Sequence, residues 1–281
     1  MAEPNRKRVL IADDDAAVLL LLTDILKREG AELETVQDGA TALQRIQKNT
    51  YDLLLCDVRM PTLTGLELME KIRELPAPPP VIIMTADDTP NTILQAIKNQ
   101  AVHVVSKPFK ATDMLDLVRA TLAAGAAIPI EVISARQDWV ELLIPCEIRS
   151  AERIQGVLWK LKLDLPEDVR DSVGQAFREL LLNAIEWGGK LDASRKVRIS
   201  FQRFKKFLLY RIADPGQGFN FEGLAHAAVS NPPDDPIGHM RIREEKGLRP
   251  GGLGILMTQS LVDELLYNEA QNEVVFVKYL E

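Results

Sequence analysis

Three kinds of polar side chain recur directly after apolar runs in the first half of the chain. Asp13, Asp14 and Asp15 follow RVLIA (8–12), Asp57 follows DLLLC (52–56), Thr85 closes PVIIMT (80–85), and Lys107 follows AVHVVS (101–106). Adjacent carboxylates repel and call for a cation, and a hard divalent ion such as Mg²⁺ suits oxygen donors with retained waters. Lys107 adds a positive point charge, and the Thr85 hydroxyl can turn toward a new acceptor. A carboxylate beside such an ion can accept a phosphoryl group as an aspartyl phosphate. One acid after a strand is usually a helix cap. An Asp cluster, a further Asp, a Thr and a Lys at four successive strand ends need another explanation.

The second half carries a different set. In FRELLLNAIEWGG (177–189), Glu179 and Asn183 are four apart and share a helix face. The Asn amide oxygen can ligate Mg²⁺, and a Glu one turn earlier can accept a proton from an attacking hydroxyl. IADPGQGF (212–219) ends an apolar run in Asp214, placed to accept from an adenine amino group, and Gly216 and Gly218 let backbone approach a ligand. PGGLG (250–254), with Gly252 and Gly254, opens a helical pattern, and free N–H groups with the helix dipole make such a start an anion site. Each signal has a plain alternative: a solvated helix face, an Asp-Pro-Gly turn, a flexible hinge. In this order, separated by a long polar loop, they read as an ATP cradle.

Both sets need rigid elements. Residues 1–122 alternate five short strands with helices near 15–29, 39–48, 64–74, 90–99 and 111–122. That pattern predicts an α/β domain, a doubly wound five-stranded parallel sheet whose carboxyl edge gathers the acids. The alternation lapses at 123–137, expected as a linker. Residues 138–281 predict a strand at 139–146, helices at 150–163 and 167–187, and a hairpin at 196–213. A helix at 255–262 and two closing strands complete an α/β two-layer sandwich, a mixed sheet with helices on one side. The long stretch 219–250 is a candidate lid, with Arg249 nearest the glycines.

Composition narrows the classes. The 281 residues carry a formal net charge of −7, and each half holds more acidic than basic residues, which argues against phosphate-backbone binding and so against nucleic acid as a partner. Cys56 and Cys146 lack metal-site spacing. No apolar run approaches a membrane span, so a cytoplasmic protein without membrane contact is expected. The basic residues of 195–206 read as solvated charge that discourages edge pairing.

VLIADDD, LLLCDVRMPTLTG, VIIMTA and VSKPF resemble the receiver domain of two-component response regulators, over about residues 6–122. The resemblance implies Asp57 as phosphoacceptor, Asp13 and Asp14 with Asp57 around Mg²⁺, Thr85 as switch hydroxyl, Lys107 beside the phosphoryl group, and a cis Lys107–Pro108 bond. It also implies a sensor histidine kinase as phosphodonor. Two positions depart from the pattern: Asn99-Gln100-Ala101 replaces a small-Gly turn, and Val104, beside His103, stands where an aromatic is usual.

Glu179-x-x-x-Asn183, Asp214-x-Gly216-x-Gly218 and GGLGILMTQSLVDEL resemble the boxes of the GHKL ATPases, and most of all the serine/threonine kinases that act as anti-sigma factors. That implies Asn183 on Mg²⁺, Glu179 as catalytic base, Asp214 on adenine, and Gly216, Gly218, Gly252 and Gly254 shaping the pocket. Trp187 stands where His is common. The implied partner is an anti-sigma antagonist or a sigma-factor-like protein. Of His103, His226 and His239, none lies in 126–187, so a histidine autokinase is not expected. The expected function is a phosphorelay regulator whose Asp57 phosphorylation controls an ATP-dependent serine/threonine-kinase-like output. The alternative is a non-catalytic, ATP-binding module that sequesters a partner.

Overall fold

A computed structural model describes residues 6–27, 29–87, 89–125, 129–161, 164–218, 238–245 and 253–280. The chain divides into two compact units, Met1–Ile128 and Pro129–Glu281.

In the first unit, β1 (Arg8–Ala12), β2 (Glu32–Val36), β3 (Leu53–Asp57), β4 (Val81–Thr85) and β5 (His103–Ser106) form a sheet in the order β2-β1-β3-β4-β5. All its pairings are parallel. Helices α1 (Ala16–Lys27), α2 (Gly39–Lys48), α3 (Gly65–Ile72), α4 (Pro90–Lys98) and α5 (Ala111–Ala124) alternate with the strands. The strands read as near-continuous apolar runs because both faces are covered. Leu10, Leu54 and Ile83 pack toward Ala42, Ile46 and Leu68 of α2 and α3. Val9, Leu55 and Ile82 pack toward Leu22, Leu26, Met114 and Val118 of α1 and α5. Local signals fix the helix starts. Asp38 caps α2, and Thr64 with Glu67 forms a capping box on α3. Pairing of Ala12 with Cys56, Asp57 with Met84, and Thr85 with Ser106 brings the polar residues to one edge.

The second unit holds β6 (Glu131–Ala135), β7 (Trp139–Pro145), α6 (Ile148–Lys160), α7 (Glu167–Asn183), β8 (Lys196–Arg203), β9 (Phe207–Ala213), α8 (Gly238–Glu245), α9 (Gly254–Leu261), β10 (Glu264–Tyr267) and β11 (Glu273–Tyr279). The sheet order is β10-β11-β9-β8-β7-β6. Strand β8 alternates cleanly: Val197, Ile199 and Phe201 are buried, Lys196 and Arg198 exposed, as a sheet covered on one face requires. Tyr210 lies at the centre, stacked on Phe276 at 4.7 Å and tilted against Phe201 and Phe177. Phe177 comes from the buried face of α7, with Val173, Leu180 and Leu181.

Four details depart from expectation. Every pairing in the second sheet is antiparallel rather than mixed: β6–β7, β8–β9 and β10–β11 are joined by short turns, the α6–α7 layer returns β8 to β7, and β11 closes back onto β9. The supposed linker 123–137 includes the end of α5 and the whole of β6, because the β-branched residues of IEVI supply an edge strand for β7. The helix expected to reach 187 stops at Asn183, and Ala184–Gly188 widens into a π-helical turn. The expected lid holds a helical segment, α8; the rest of 219–250 lies outside the described residues.

Candidate phosphate and nucleotide sites

At the carboxyl edge of the parallel sheet, Lys107 Nζ lies 2.6 Å from Asp13 Oδ2 and 2.5 Å from Asp57 Oδ1. Asp13 is fully buried and Asp57 nearly so. The second Asp57 oxygen accepts from the Arg59 N–H at 2.5 Å, and Asp13 Oδ1 accepts from the Asp15 N–H at 3.1 Å. Burial pushes the Asp13 carboxyl above its ordinary range, although its bond to Lys107 opposes this. Burial lowers the Lys107 ammonium pKa, but hydrogen bonds to Asp13 and Asp57 outweigh it and the net shift is upward. Gly65 sits under the Asp57 carbonyl, which a β-carbon would strike. Thr85 is buried, its hydroxyl accepting from the Asp87 N–H and donating to the Asp87 carbonyl, both at 2.9 Å. Lys107–Pro108 is cis.

Asp14 does not join this cluster. It is exposed, and among the described residues no three acidic, His or Cys side chains form a metal cage. The Lys107 ammonium draws Asp13 and Asp57 together, whereas Asp14 is solvated beyond the strand end. Two carboxylates sharing one ammonium still leave net negative charge at a sheet edge. That donor set fits Mg²⁺, which keeps several waters and needs only one or two carboxylates.

Val104 is buried on β5 with His103 half-buried beside it, and Gln100 takes the left-handed conformation at φ 68° in the turn before that strand.

In the second unit, Gly254 at the start of α9 faces both helix residues of the candidate cradle. A β-carbon at 254 would lie 2.8 Å from Glu179 Oε2 and 3.6 Å from Asn183 Nδ2. A side chain at 254 would have to push the Glu179 carboxylate aside. Farther along, the π-helical turn lays Gly188 on the Asp214 carboxylate, and Gly189 on Cys146. Asp214 Oδ1 accepts from the Gly216 N–H at 2.7 Å. Gly218, at φ 82°, passes tight against the Ala270 carbonyl. Burial raises the Asp214 pKa, opposed by the Gly216 N–H and by the charges of Arg195 and Lys190. Glu179, Asn183 and Gly254 thus form one cluster, and Asp214, Gly216 and Gly188 another, linked by the turn after α7. π-Turns of this sort recur at functional sites. Gly252 lies outside the described residues.

The basic hairpin is not a free cationic face. Lys196 pairs with Glu131, Arg198 with Glu141 and Arg203 with Asp164. Arg195 is different. Its guanidinium donates to the Pro215 carbonyl at 2.5 Å, inside the Asp-Pro-Gly loop. Asn272 holds the same loop from the other side, accepting from the Asp214 N–H through its carbonyl at 2.8 Å and donating from its side chain to the Gly216 carbonyl at 3.0 Å. Sequence reasoning grouped Arg195 with surface charge and passed over Asn272, because neither adjoins the glycines in the chain. The Gly-Gly pair at 188–189 was the one available hint of close packing there.

A parallel sheet with Asp, Asp and Lys at its edge, followed by a sandwich with a glycine-flanked Glu/Asn helix, defines a phosphate-handling two-domain protein. Residues 9–119 match the family model described as "Response regulator receiver domain", and residues 147–278 the one described as "Histidine kinase-like ATPase domain". The chain belongs to the response regulators, with a kinase-like ATPase domain following the receiver. It is 30% identical over 204 residues to "DNA-binding response regulator MtrA" of Mycolicibacterium paratuberculosis, covering 71% of this chain and 88% of that protein. It is also 30% identical over 135 residues to "DNA-binding transcriptional regulator NtrC" of Rhizobium meliloti, covering 48% of this chain and 28% of that one. Among solved structures, a putative response regulator from Chloroflexus aurantiacus J-10-fl is 30% identical, covering 42% of this chain and 99% of that chain with a TM-score of 0.41. Among the described residues, no helix is long and apolar enough to cross a membrane.

Proposed function

We propose that this response regulator takes a phosphoryl group on Asp57 from a sensor histidine kinase and thereby controls an ATP-dependent serine/threonine-kinase-like output domain of the anti-sigma type. The observation that carries the reading is the approach of Gly254 to Glu179 and Asn183 at the end of the helix whose π-turn lays Gly188 on Asp214. In the receiver, Asp57 is the nucleophile, Lys107 neutralises charge on the new phosphoryl group, and Thr85 leaves Asp87 to bond it. Mg²⁺ bound by Asp13, Asp14 and Asp57 would supply charge neutralisation there, which requires Asp14 to turn toward the buried pair.

In the output domain, Asp214 accepts from the adenine amino group, Asn183 is the Mg²⁺ ligand of the nucleotide, and Glu179 takes the proton from a partner's hydroxyl as it attacks. Gly216, Gly218, Gly252 and Gly254 keep side chains out of the nucleotide's path. The partner is an anti-sigma antagonist or a sigma-factor-like protein. The acidic charge of both halves argues against nucleic acid as the target, although relatives carry "DNA-binding" in their names. No accepting histidine lies between 126 and 187, which favours a hydroxyl on a separate protein as the acceptor.

The test compares Asn183→Ala and Glu179→Ala with the wild type for Mg-ATP binding and for transfer of γ-phosphate to candidate partners. The kinase reading expects Asn183→Ala to lose nucleotide and Glu179→Ala to keep it while losing transfer. Unaltered signalling in Glu179→Ala would instead favour the non-catalytic, sequestering module.

A further inference from the structure

We propose that Arg195 is a positioning residue that sets recognition of the adenine amino group, acting through the Pro215–Gly216 peptide on Asp214. This rests on the nucleotide reading above and extends it to a residue outside the glycine motif. One peptide unit carries the link. Its carbonyl oxygen, on Pro215, accepts from Arg195 Nη2 at 2.5 Å, and its N–H, on Gly216, donates to Asp214 Oδ1 at 2.7 Å. Fixing the oxygen fixes the plane of the peptide, and so fixes the direction of the N–H. Asp214 Oδ1 is thereby held, and Oδ2 is left as the acceptor for a ligand.

Further observations support the assignment. The next carbonyl along, on Gly216, is held by Asn272 Nδ2 at 3.0 Å, so the loop is braced on both sides by side chains from distant segments. Gly188 closes the space beside the carboxylate, which removes room for other rotamers. Arg195 is itself seated: its carbonyl accepts from the Cys146 N–H at 3.0 Å and its N–H donates to the Asp192 carbonyl at 3.0 Å, so its backbone is anchored at the entrance to β8. Its positive charge also favours the ionised form of the half-buried Asp214. An ionised acceptor suits a 6-amino group and repels a 6-oxo group.

The test is a cycle between the residue and the ligand's amino group. Binding of Mg-ATP and of Mg-purine riboside triphosphate, which lacks the 6-amino group, is measured on the full-length wild type and on Arg195→Ala and Arg195→Lys. The expected result is that Arg195→Ala weakens ATP about tenfold, as loss of a charge-assisted hydrogen bond would, yet changes the amino-free analogue less than about twofold. Arg195→Lys, which keeps a donor and the charge, should recover part of the ATP loss. Parallel weakening of both ligands would overturn the inference, because it marks a general structural role. Unchanged ATP binding in Arg195→Ala would overturn it too. A wild type that binds ATP no better than the amino-free analogue would remove the amino-group contact itself, and a wild type that binds neither would remove the nucleotide reading together with this one.

Discussion

Gly188 and Asp214 touch: the α-carbon of one lies where even a methyl group would overlap the carboxylate of the other. A residue from the turn after α7 therefore sets the space around a residue at the end of β9. Gly188→Ala should push Asp214 off its Gly216 bond. Overpacking typically costs about 1–3 kcal/mol, so ATP affinity should fall about tenfold or more. Calorimetric titration with Mg-ATP checks this, with circular dichroism reporting the retained fold.

Lys107 stands between two buried carboxylates. Lys107→Met leaves Asp13 and Asp57 facing each other without a cation, and breaking a buried pair in this way costs roughly 3–5 kcal/mol. A divalent ion then becomes the compensating charge. The variant should melt lower than the wild type without Mg²⁺ and gain more in Tm from added Mg²⁺. Thermal scans with and without the ion give the comparison.

Gln100 holds φ 68° where a glycine would be unstrained. Left-handed backbone costs an L-residue roughly 1–2 kcal/mol, and glycine loses part of that gain to chain entropy. Gln100→Gly should stabilise the receiver by about 0.5–1 kcal/mol, read as a higher urea midpoint at constant slope.

Tyr51 is buried, and its hydroxyl donates to Glu34 at 2.6 Å. Burial first, then the Glu34 bond, pushes the phenol up to about 12. The folded value lies above the ordinary 10, so the stabilising contribution is complete below pH 10 and disappears as pH rises through about 12. Burial also raises Tyr210 and Tyr267, so ultraviolet titration should show several tyrosines ionising late, and Tyr51→Phe should reduce the amplitude near pH 12 by one tyrosine.

The receiver was the more legible half. RVLIA, DLLLC and PVIIM are short, apolar and bounded by polar residues, so periodicity and chemistry agreed on where each strand ended. Asp13, Asp57 and Lys107 converge because parallel strands in register leave their carboxyl ends no other place. Asp14 was read as their equal, but it is exposed beyond the end of β1, where no strand pairing fixes its direction. In the second half, Glu179 and Asn183 were legible from their spacing of four. Arg195 and Asn272 were not, because their contacts to Pro215 and Gly216 join segments 20 and 56 residues apart, and no local pattern encodes such a meeting. β6 was hidden for a similar reason: an edge strand is specified by its partner β7 as much as by its own five residues.

The proposed control of the ATP domain by phosphate on Asp57 is tested most directly on the full chain. Transfer of γ-phosphate to a partner, or Mg-ATP affinity where the partner is not yet in hand, should be measured on the full chain with and without acetyl phosphate. A severalfold change that disappears in Asp57→Asn is the predicted result. Superimposable curves for loaded and unloaded protein, with Asp57 shown to carry phosphate, would contradict it.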